Sequence, residues 1–450
     1  LSNPPPMETP LTYRRIAHFW SPLAATWLMM AVEGPLLSSI IARMADPTFN
    51  LAAYGVALPF AMVIESPIIM MLTASNALVR SRESYCKLRR FLFALNTLLT
   101  LSVLVLVIPQ VFELIAGRLM GLPREVVYLS HKSVLILLPW PAAIGYRRFF
   151  QGILVSHNMT RRVAYGTLLR VSSMAACGIG LALSGWKIPG AWVGAISLSV
   201  GVTCEAIASR FMASSLVRRI KATPRQEGEP PMTLSSLLDF YLPLAMTSLL
   251  GIATSPITTF FLGHSRRAVE SLAVAPVLIS LLFIFRSGGM AYQEVGVALL
   301  GEGNKNYQRL KTFAIFLGGF SLLGLTLLTA TPLSSLWFRK IVGLSPSLAA
   351  FALTPARIMT PLAALEVLIS LQRSLLINRR KTRAITAATA IEVTTLALIM
   401  AVLIGFSPVP GAIVSAIALL SGRVLANLFL FFRTRGSLPG QNKPDSLPYP

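Results

Sequence analysis

The sequence predicts an all-α integral membrane protein of twelve transmembrane helices, arranged as two parallel six-helix lobes. Three observations carry that expectation. The 450-residue chain is 54% hydrophobic and only 13% charged, with mean hydropathy +0.68, whereas soluble domains carry about 25% charged residues. Apolar runs recur along its whole length, and about 20 apolar residues are needed to cross a bilayer as a helix. The second half of the chain also repeats the first at a constant offset of 221 residues.

The crossings are expected at 15–43, 50–79, 88–117, 128–156, 162–185, 190–217, 236–263, 268–300, 309–338, 347–377, 383–405 and 410–433. Several exceed the bilayer's needs, which tilt absorbs. This divides the chain into an N-terminal extension (1–14), an N-lobe (15–217), a polar linker (218–235), a C-lobe (236–433) and a Pro-rich tail (434–450) expected to be disordered. Residues before Met7 read as lying upstream of a natural start. The first apolar run is too long for a signal peptide and is followed by more of its kind.

The repeat is clearest in the first crossing of each half. FWSPLAATWLMMAVEGP (19–35) returns as FYLPLAMTSLLGIATSP (240–256), pairing Pro22 with Pro243 and Pro35 with Pro256. All four prolines are read as helix breaks, because proline removes a backbone donor and crowds the preceding turn. Gln151 pairs with Gln372, Arg162 with Arg383, and Pro189-Gly190-Ala191 with Pro410-Gly411-Ala412, all 221 apart. An even number of crossings per half makes the repeat parallel, about an axis along the membrane normal. Interrupted helices at corresponding positions point to a solute-binding region.

The net charge of +23 does not indicate nucleic acid, because the basic residues cluster in short loops. With the N-terminus inside, 23 of the 40 Lys and Arg residues fall in inside segments and 9 in outside ones. The positive-inside rule then places both termini in the cytoplasm of a cell whose inner (plasma) membrane holds the protein. Cys86, Cys177 and Cys204 are odd in number and widely spaced, which fits small apolar fillers rather than a disulfide or metal set. His18, His131, His157 and His264 form no metal set either. Asn158-Met159-Thr160 matches a glycosylation triplet on an expected inside loop and is discounted. No Walker, Ser-His-Asp or Gly-rich nucleotide motif is present, so ATP-driven chemistry by this chain is not expected.

Ionisable residues at membrane depth cost about 2.5–3.5 kcal/mol each on insertion scales and mark cavities or partners. Twelve stand out: Glu33, Glu65, Arg147, Arg148, Arg170, Arg286, Glu294, Arg357, Glu366, Arg373, Glu392 and Arg423. Glu33 lies beside Gly34-Pro35, where freed carbonyls and a carboxylate suit a proton or a sodium ion; it is the candidate ion-coupling residue. Glu65 and Arg286 are 221 apart, so opposite charges occupy equivalent positions of the two halves. They are expected to form a closable ion pair across the central cleft. Arg147, Arg286 and Arg357, with Glu294 and Glu366, are expected to line the cleft and to favour an anionic solute, since guanidinium forks match carboxylates and phosphates.

The stretch FWSPLAATWLMMAVEGPLLSSIIARMADPTFNLAAYGVALPF resembles the progressive ankylosis proteins within the multidrug/oligosaccharidyl-lipid/polysaccharide (MOP) exporter superfamily, which includes the multidrug and toxic compound extrusion (MATE) transporters. The Pro-Leu at 22–23, the acidic Glu33 and Ala-Ala-Tyr-Gly at 52–55 carry the resemblance, over about the first 80 residues. It implies a V-shaped pair of lobes working by rocker-switch alternating access, with coupling carried by an acidic residue of the first crossing, here Glu33. The resulting expectation is a monomeric ion-coupled exporter of a small organic solute, not an enzyme, with no cofactor beyond the coupling ion. The alternative is a flippase for a lipid-linked oligosaccharide or polysaccharide precursor.

Overall fold

The computed structural model describes residues 11–157, 159–224, 232–301, 304–379 and 381–435. Asn158, most of the expected N-terminal extension, positions 225–231 of the linker and the tail beyond 435 lie outside the described residues. Among the described residues, eleven helices are long and apolar enough to cross a membrane: Tyr13–Ala42 (span 1), Pro47–Leu78 (span 2), Arg82–Leu106 (span 3), Thr160–Leu183 (span 5), Gly190–Met212 (span 6), Leu234–Gly263 (span 7), Ala268–Leu299 (span 8), Tyr307–Ala330 (span 9), Pro346–Asn378 (span 10), Arg383–Phe406 (span 11) and Gly411–Arg435 (span 12). Span 4 completes the set as a bent pair, Arg124–Ile136 and Trp140–Ser156, at 40° to each other. The bend falls at Pro139 and Pro141, which remove two backbone donors within three residues.

The duplication is visible in backbone detail. Span 1 breaks at Val32 and span 7 at Ala253, which are 221 residues apart. The cause is the same in both. Pro35 and Pro256 crowd the carbonyl four residues back, and those residues, Ala31 and Ile252, are where the first half-helices end. Pro22 and Pro243 correct the expectation of four breaks. They lie inside the uninterrupted helices Tyr13–Ala31 and Leu234–Ile252. A single missing donor is tolerated where neighbouring helices and side chains restore the local bonding.

Loops repeat as well. Asp46 and Arg267 both take the left-handed conformation, at φ 48° and 54°, before spans 2 and 8. One turn later, Asn50 accepts from the Ala191 amide at 2.9 Å, and Ser271 accepts from the Ala412 amide at 3.1 Å. Both bonds tie the start of a lobe's second span to the start of its sixth, capping an otherwise orphaned helix end.

The lobes exchange their leading half-helices. The Tyr13–Ala31 half of span 1 lies along span 8: Trp20 donates to the Gly288 carbonyl at 2.9 Å, and Trp27 meets Phe283 edge-on at 6.3 Å. Leu11 and Ile16 are buried with Tyr292, Leu310 and Val367 of the C-lobe. Reciprocally, the start of span 7 lies on the N-lobe, where Tyr241 donates to the Pro67 carbonyl at 2.7 Å and packs on Phe91 at 5.0 Å.

Within each lobe, small residues set the closest approaches. A Cβ at Gly152 would stand 1.7 Å from Ser75 Oγ and 2.4 Å from the Leu72 carbonyl, so spans 2 and 4 meet through that glycine. Gly152→Val should therefore lower the melting temperature of the detergent-purified protein, at a cost of about 1–3 kcal/mol from overpacking. Unchanged melting would show that the two backbones separate freely.

Candidate functional site

Glu205 of span 6 is fully buried, and the neighbouring spans supply its partners. Its carboxylate accepts from Arg147 Nη1, from Gln151 Nε2 at 3.0 Å and from Thr167 Oγ1 at 3.4 Å, and Arg170 Nε approaches at 3.4 Å. Arg170 in turn donates to Glu33. Glu33 is the first residue of the half-helix Glu33–Ala42, where a negative charge is favoured by the helix dipole. The broken first span is thus fastened through one ionic chain to spans 4, 5 and 6. Beside Glu33, a Cβ on Gly34 would stand 2.5 Å from Ser280 Cβ, so glycine also brings the break against span 8 of the other lobe.

The C-lobe has its own buried network. Glu366 of span 10 accepts from Arg286 Nε at 2.7 Å and from Arg423 Nη1 at 2.9 Å. Arg423 Nη2 pairs with Glu392 of span 11 at 2.9 Å. Gln372, the repeat partner of Gln151, donates to the Asn427 carbonyl at 3.2 Å.

The signs are inverted between lobes. Spans 2, 4, 5 and 6 carry Glu65, Arg147, Arg170 and Glu205; the equivalent spans 8, 10, 11 and 12 carry Arg286, Glu366, Glu392 and Arg423. Only Glu65 and Arg286 keep the 221 register, the others drifting by one to three residues. Each lobe reaches local compensation with the opposite arrangement of charges.

Glu65 and Arg286, expected to form a closable pair across the cleft, are not paired in this structure. In this structure Glu65 accepts from the Trp140 indole within the N-lobe, and Arg286 is held by Glu366 within the C-lobe. The span 4 bend delivers Trp140 to Glu65, and span 10 offers Arg286 a nearer carboxylate. Arg147 serves Glu205 rather than an open cleft. Arg357 is exposed and its Nε donates to the Thr329 carbonyl at 3.1 Å, apart from both networks. Glu294 is exposed on span 8 beside Trp27. Arg148 and Arg373 are half-buried beside the N- and C-lobe networks respectively, and each has a buried Nε without a hydrogen-bond partner.

Glu205 is absent from the residues singled out by sequence. Its signal is that it is the sole acidic residue of span 6, and the repeat obscures it because position 426 is alanine.

On the side opposite the N-terminus, the lobes are joined by Arg43, in the loop after span 1. Its Nη1 donates to the carbonyls of Ser39 at 2.8 Å and Val342 at 3.0 Å; its Nη2 donates to those of Lys340 at 2.6 Å and Ile341 at 2.9 Å. The C-lobe carbonyls end the π-helical turn Leu336–Ile341, a negative pole that attracts a cation. Gly343, at φ 85°, lets Arg43 approach: a Cβ there would stand 2.9 Å from Nη1. The repeat partner of Arg43 is His264, which sits against Gly121. The two lobes therefore meet here through equivalent loops, one by an arginine donating to backbone carbonyls and one by a histidine ring set against a glycine.

The fold is that of the MATE-type transporters of the MOP superfamily. The chain is similar to a multidrug resistance MATE family transporter of that superfamily in an inward-facing conformation, with TM-score 0.73 and 14% identity over 95% of this chain and 100% of the other. It is similar to the lipid II flippase MurJ in an inward closed conformation, with TM-score 0.68 and 14% identity over 92% and 87%. A MOP superfamily transporter from Pyrococcus furiosus, described as having a binding pocket of reverse polarity, gives TM-score 0.64 and 15% identity over 94% and 96%. No protein-family model matches the sequence, and no curated protein does.

Two outcomes are expected. Glu205→Ala strands Arg147 in a buried site, leaving Arg170 with Glu33 alone, and should cost about 3–5 kcal/mol of stability, whereas replacing Glu205 and Arg147 together by apolar residues should recover most of it. Denaturant titration of the purified protein checks this, and equal losses in both variants would contradict it. Arg43→Ala should weaken the contact between the lobes by about 2 kcal/mol, a roughly thirtyfold change in the population ratio. Spin labels at Asp46 and Arg339 should then report a longer distance by double electron–electron resonance; an unchanged distribution would contradict it.

Proposed function

We propose that the chain is a monomeric, non-enzymatic, ion-coupled secondary exporter of a small organic solute, working by rocker-switch alternating access in the inner membrane with both termini cytoplasmic. The observation that carries this reading is Glu33, which sits at the break of span 1 and is bound to Arg170. A carboxylate that holds a broken helix to its lobe is a point where one ion can change the packing. Protonation of Glu33 removes its attraction for Arg170, which retains Glu205 as a partner, and the half-helix is released. Sodium would need to displace a guanidinium already in place, so the proton is the favoured ion. Alternating access then consists of closing one face while the Arg43 contact opens the other.

Two of the three arginines expected to attract an anion, Arg147 and Arg286, are compensated by carboxylates. An anionic preference rests instead on Arg148 and Arg373, which have no carboxylate partner among the described residues. The likeness to a lipid II flippase favours a second reading, translocation of a lipid-linked precursor.

Proteoliposomes with imposed proton or sodium gradients separate these readings. A proton gradient should drive small-anion transport, and Glu33→Gln should reduce the driven rate at least tenfold while leaving solute exchange without a gradient. Full driven transport in Glu33→Gln would remove the coupling role of Glu33. Transbilayer movement of a fluorescent lipid-linked oligosaccharide, without transport of small anions, would replace the exporter reading by the flippase one.

A further inference from the structure

Span 6 ends at Met212, and after Ala213 the chain turns into a nine-residue helix, Ser214–Ala222. This helix is amphipathic. Leu216, Val217 and Ile220 are buried against the N-lobe core, while Arg218, Arg219 and Lys221 are exposed. Where it meets the end of span 6, a cavity of about 550 Å³ is walled by Arg210, Phe211, Ser214, Val217, Arg218 and Lys221.

The lining has three cations and no carboxylate. Among the described residues, Arg210, Arg218 and Lys221 form no ion pair, although guanidinium and ammonium groups near helix ends commonly find one. Two of them are instead steadied on rings: Arg210 lies over Phe150 at 5.4 Å and Lys221 over Tyr85 at 5.5 Å. These contacts hold the side chains in place without using their hydrogen-bond donors. The Ser214 hydroxyl adds a further donor at the rim. Phe211 is 72% exposed beside them, on the last turn of a membrane helix. Aromatic rings favour the membrane interface, where an apolar body and a polar neighbourhood are both satisfied.

A pocket with fixed positive charge, no internal counter-ion and an apolar wall at the level where a helix leaves the membrane matches one ligand chemistry: a phosphodiester attached to a hydrocarbon chain. We propose that this cavity binds the headgroup of an anionic phospholipid from the leaflet on the N-terminal side, its phosphate taken by Arg210, Arg218 and Lys221 and its glycerol and upper acyl region laid against Phe211. The assignment does not depend on which solute the protein moves. The site lies on the connector between the halves. The Thr223 carbonyl at the end of its helix accepts from the Arg82 amide at 3.0 Å, which ties this helix to the start of span 3.

Native mass spectrometry of the detergent-purified full chain tests the site, with phosphatidylglycerol, phosphatidylcholine and inorganic phosphate as the probes. Each juxtamembrane cation contributes a factor of about five to binding an anionic lipid surface, so the wild type should favour phosphatidylglycerol over phosphatidylcholine by at least tenfold. Arg210→Gln/Arg218→Gln/Lys221→Gln should weaken phosphatidylglycerol binding on the order of a hundredfold. Arg118→Gln/Arg124→Gln/Lys187→Gln, the same charge change on the opposite side, should leave it within about twofold. Equal loss in both triple variants, or none in the first, overturns the proposal. So does inorganic phosphate competing as strongly as the lipid, which would make this a free-anion site. If the first triple variant does not purify as a single species, the wild type decides. Its preference should decline steeply as ionic strength rises, and a preference indifferent to salt overturns the proposal.

Discussion

The structure of each lobe depends on burying charge in an apolar medium, and Glu205 shows the constraint most plainly. A carboxylate with no exposed surface inside a membrane span is untenable unless hydrogen-bond donors surround it. Arg147, Gln151, Thr167 and Arg170 meet that need, and doing so fixes the rotation of spans 4 and 5 about their axes. Arg170 is then positioned to reach Glu33 and so to hold the break of span 1. The C-lobe meets the same requirement around Glu366 with the opposite arrangement of sign. Arg170 and Arg423 each face two carboxylates, so each network is shared among several groups and the two lobes reach it with opposite signs.

The breaks at Val32 and Ala253 give the fold its freedom. A continuous helix over the length of span 1 would move as one rod with its own lobe. Broken, its leading half follows span 8 of the other lobe through Trp20 and Trp27, while its trailing half stays with the N-lobe through Glu33. Span 7 does the reverse through Tyr241. Each lobe therefore grips the other by a half-helix on one side of the membrane, and the Arg43 contact closes the other side. The Arg43 contact is made of four directional hydrogen bonds to backbone carbonyls, whereas along spans 8 and 2 single bonds from Trp20 and Tyr241 stand among aromatic and aliphatic contacts.

Much of this was legible in the residues. Composition and run length announced the membrane helices, since hydrocarbon imposes one periodic solution on the backbone. The repeat announced the duplication, and Pro35 and Pro256 announced the breaks, because a proline acts on its own preceding turn. Pro22 and Pro243 did not behave alike, since their turns are supported by surrounding packing. Glu33, Arg170, Glu366, Glu392 and Arg423 were visible as charges out of place. Glu205 was not, because its repeat position holds alanine and the networks drift out of register as helices rotate.

By itself, then, the sequence determined what is local or additive: the crossings, the parallel duplication, the two breaks and the presence of costly buried charge. Tertiary structure alone decided who meets whom. Glu65 turned to Trp140 and Arg286 to Glu366 rather than to each other, and a loop arginine with no distinguishing neighbours became the tie between lobes. Pairing inside a low-dielectric core goes to the nearest compensating group, and nearness is set by how helices bend, rotate and cross. Spacing along the chain does not encode those quantities.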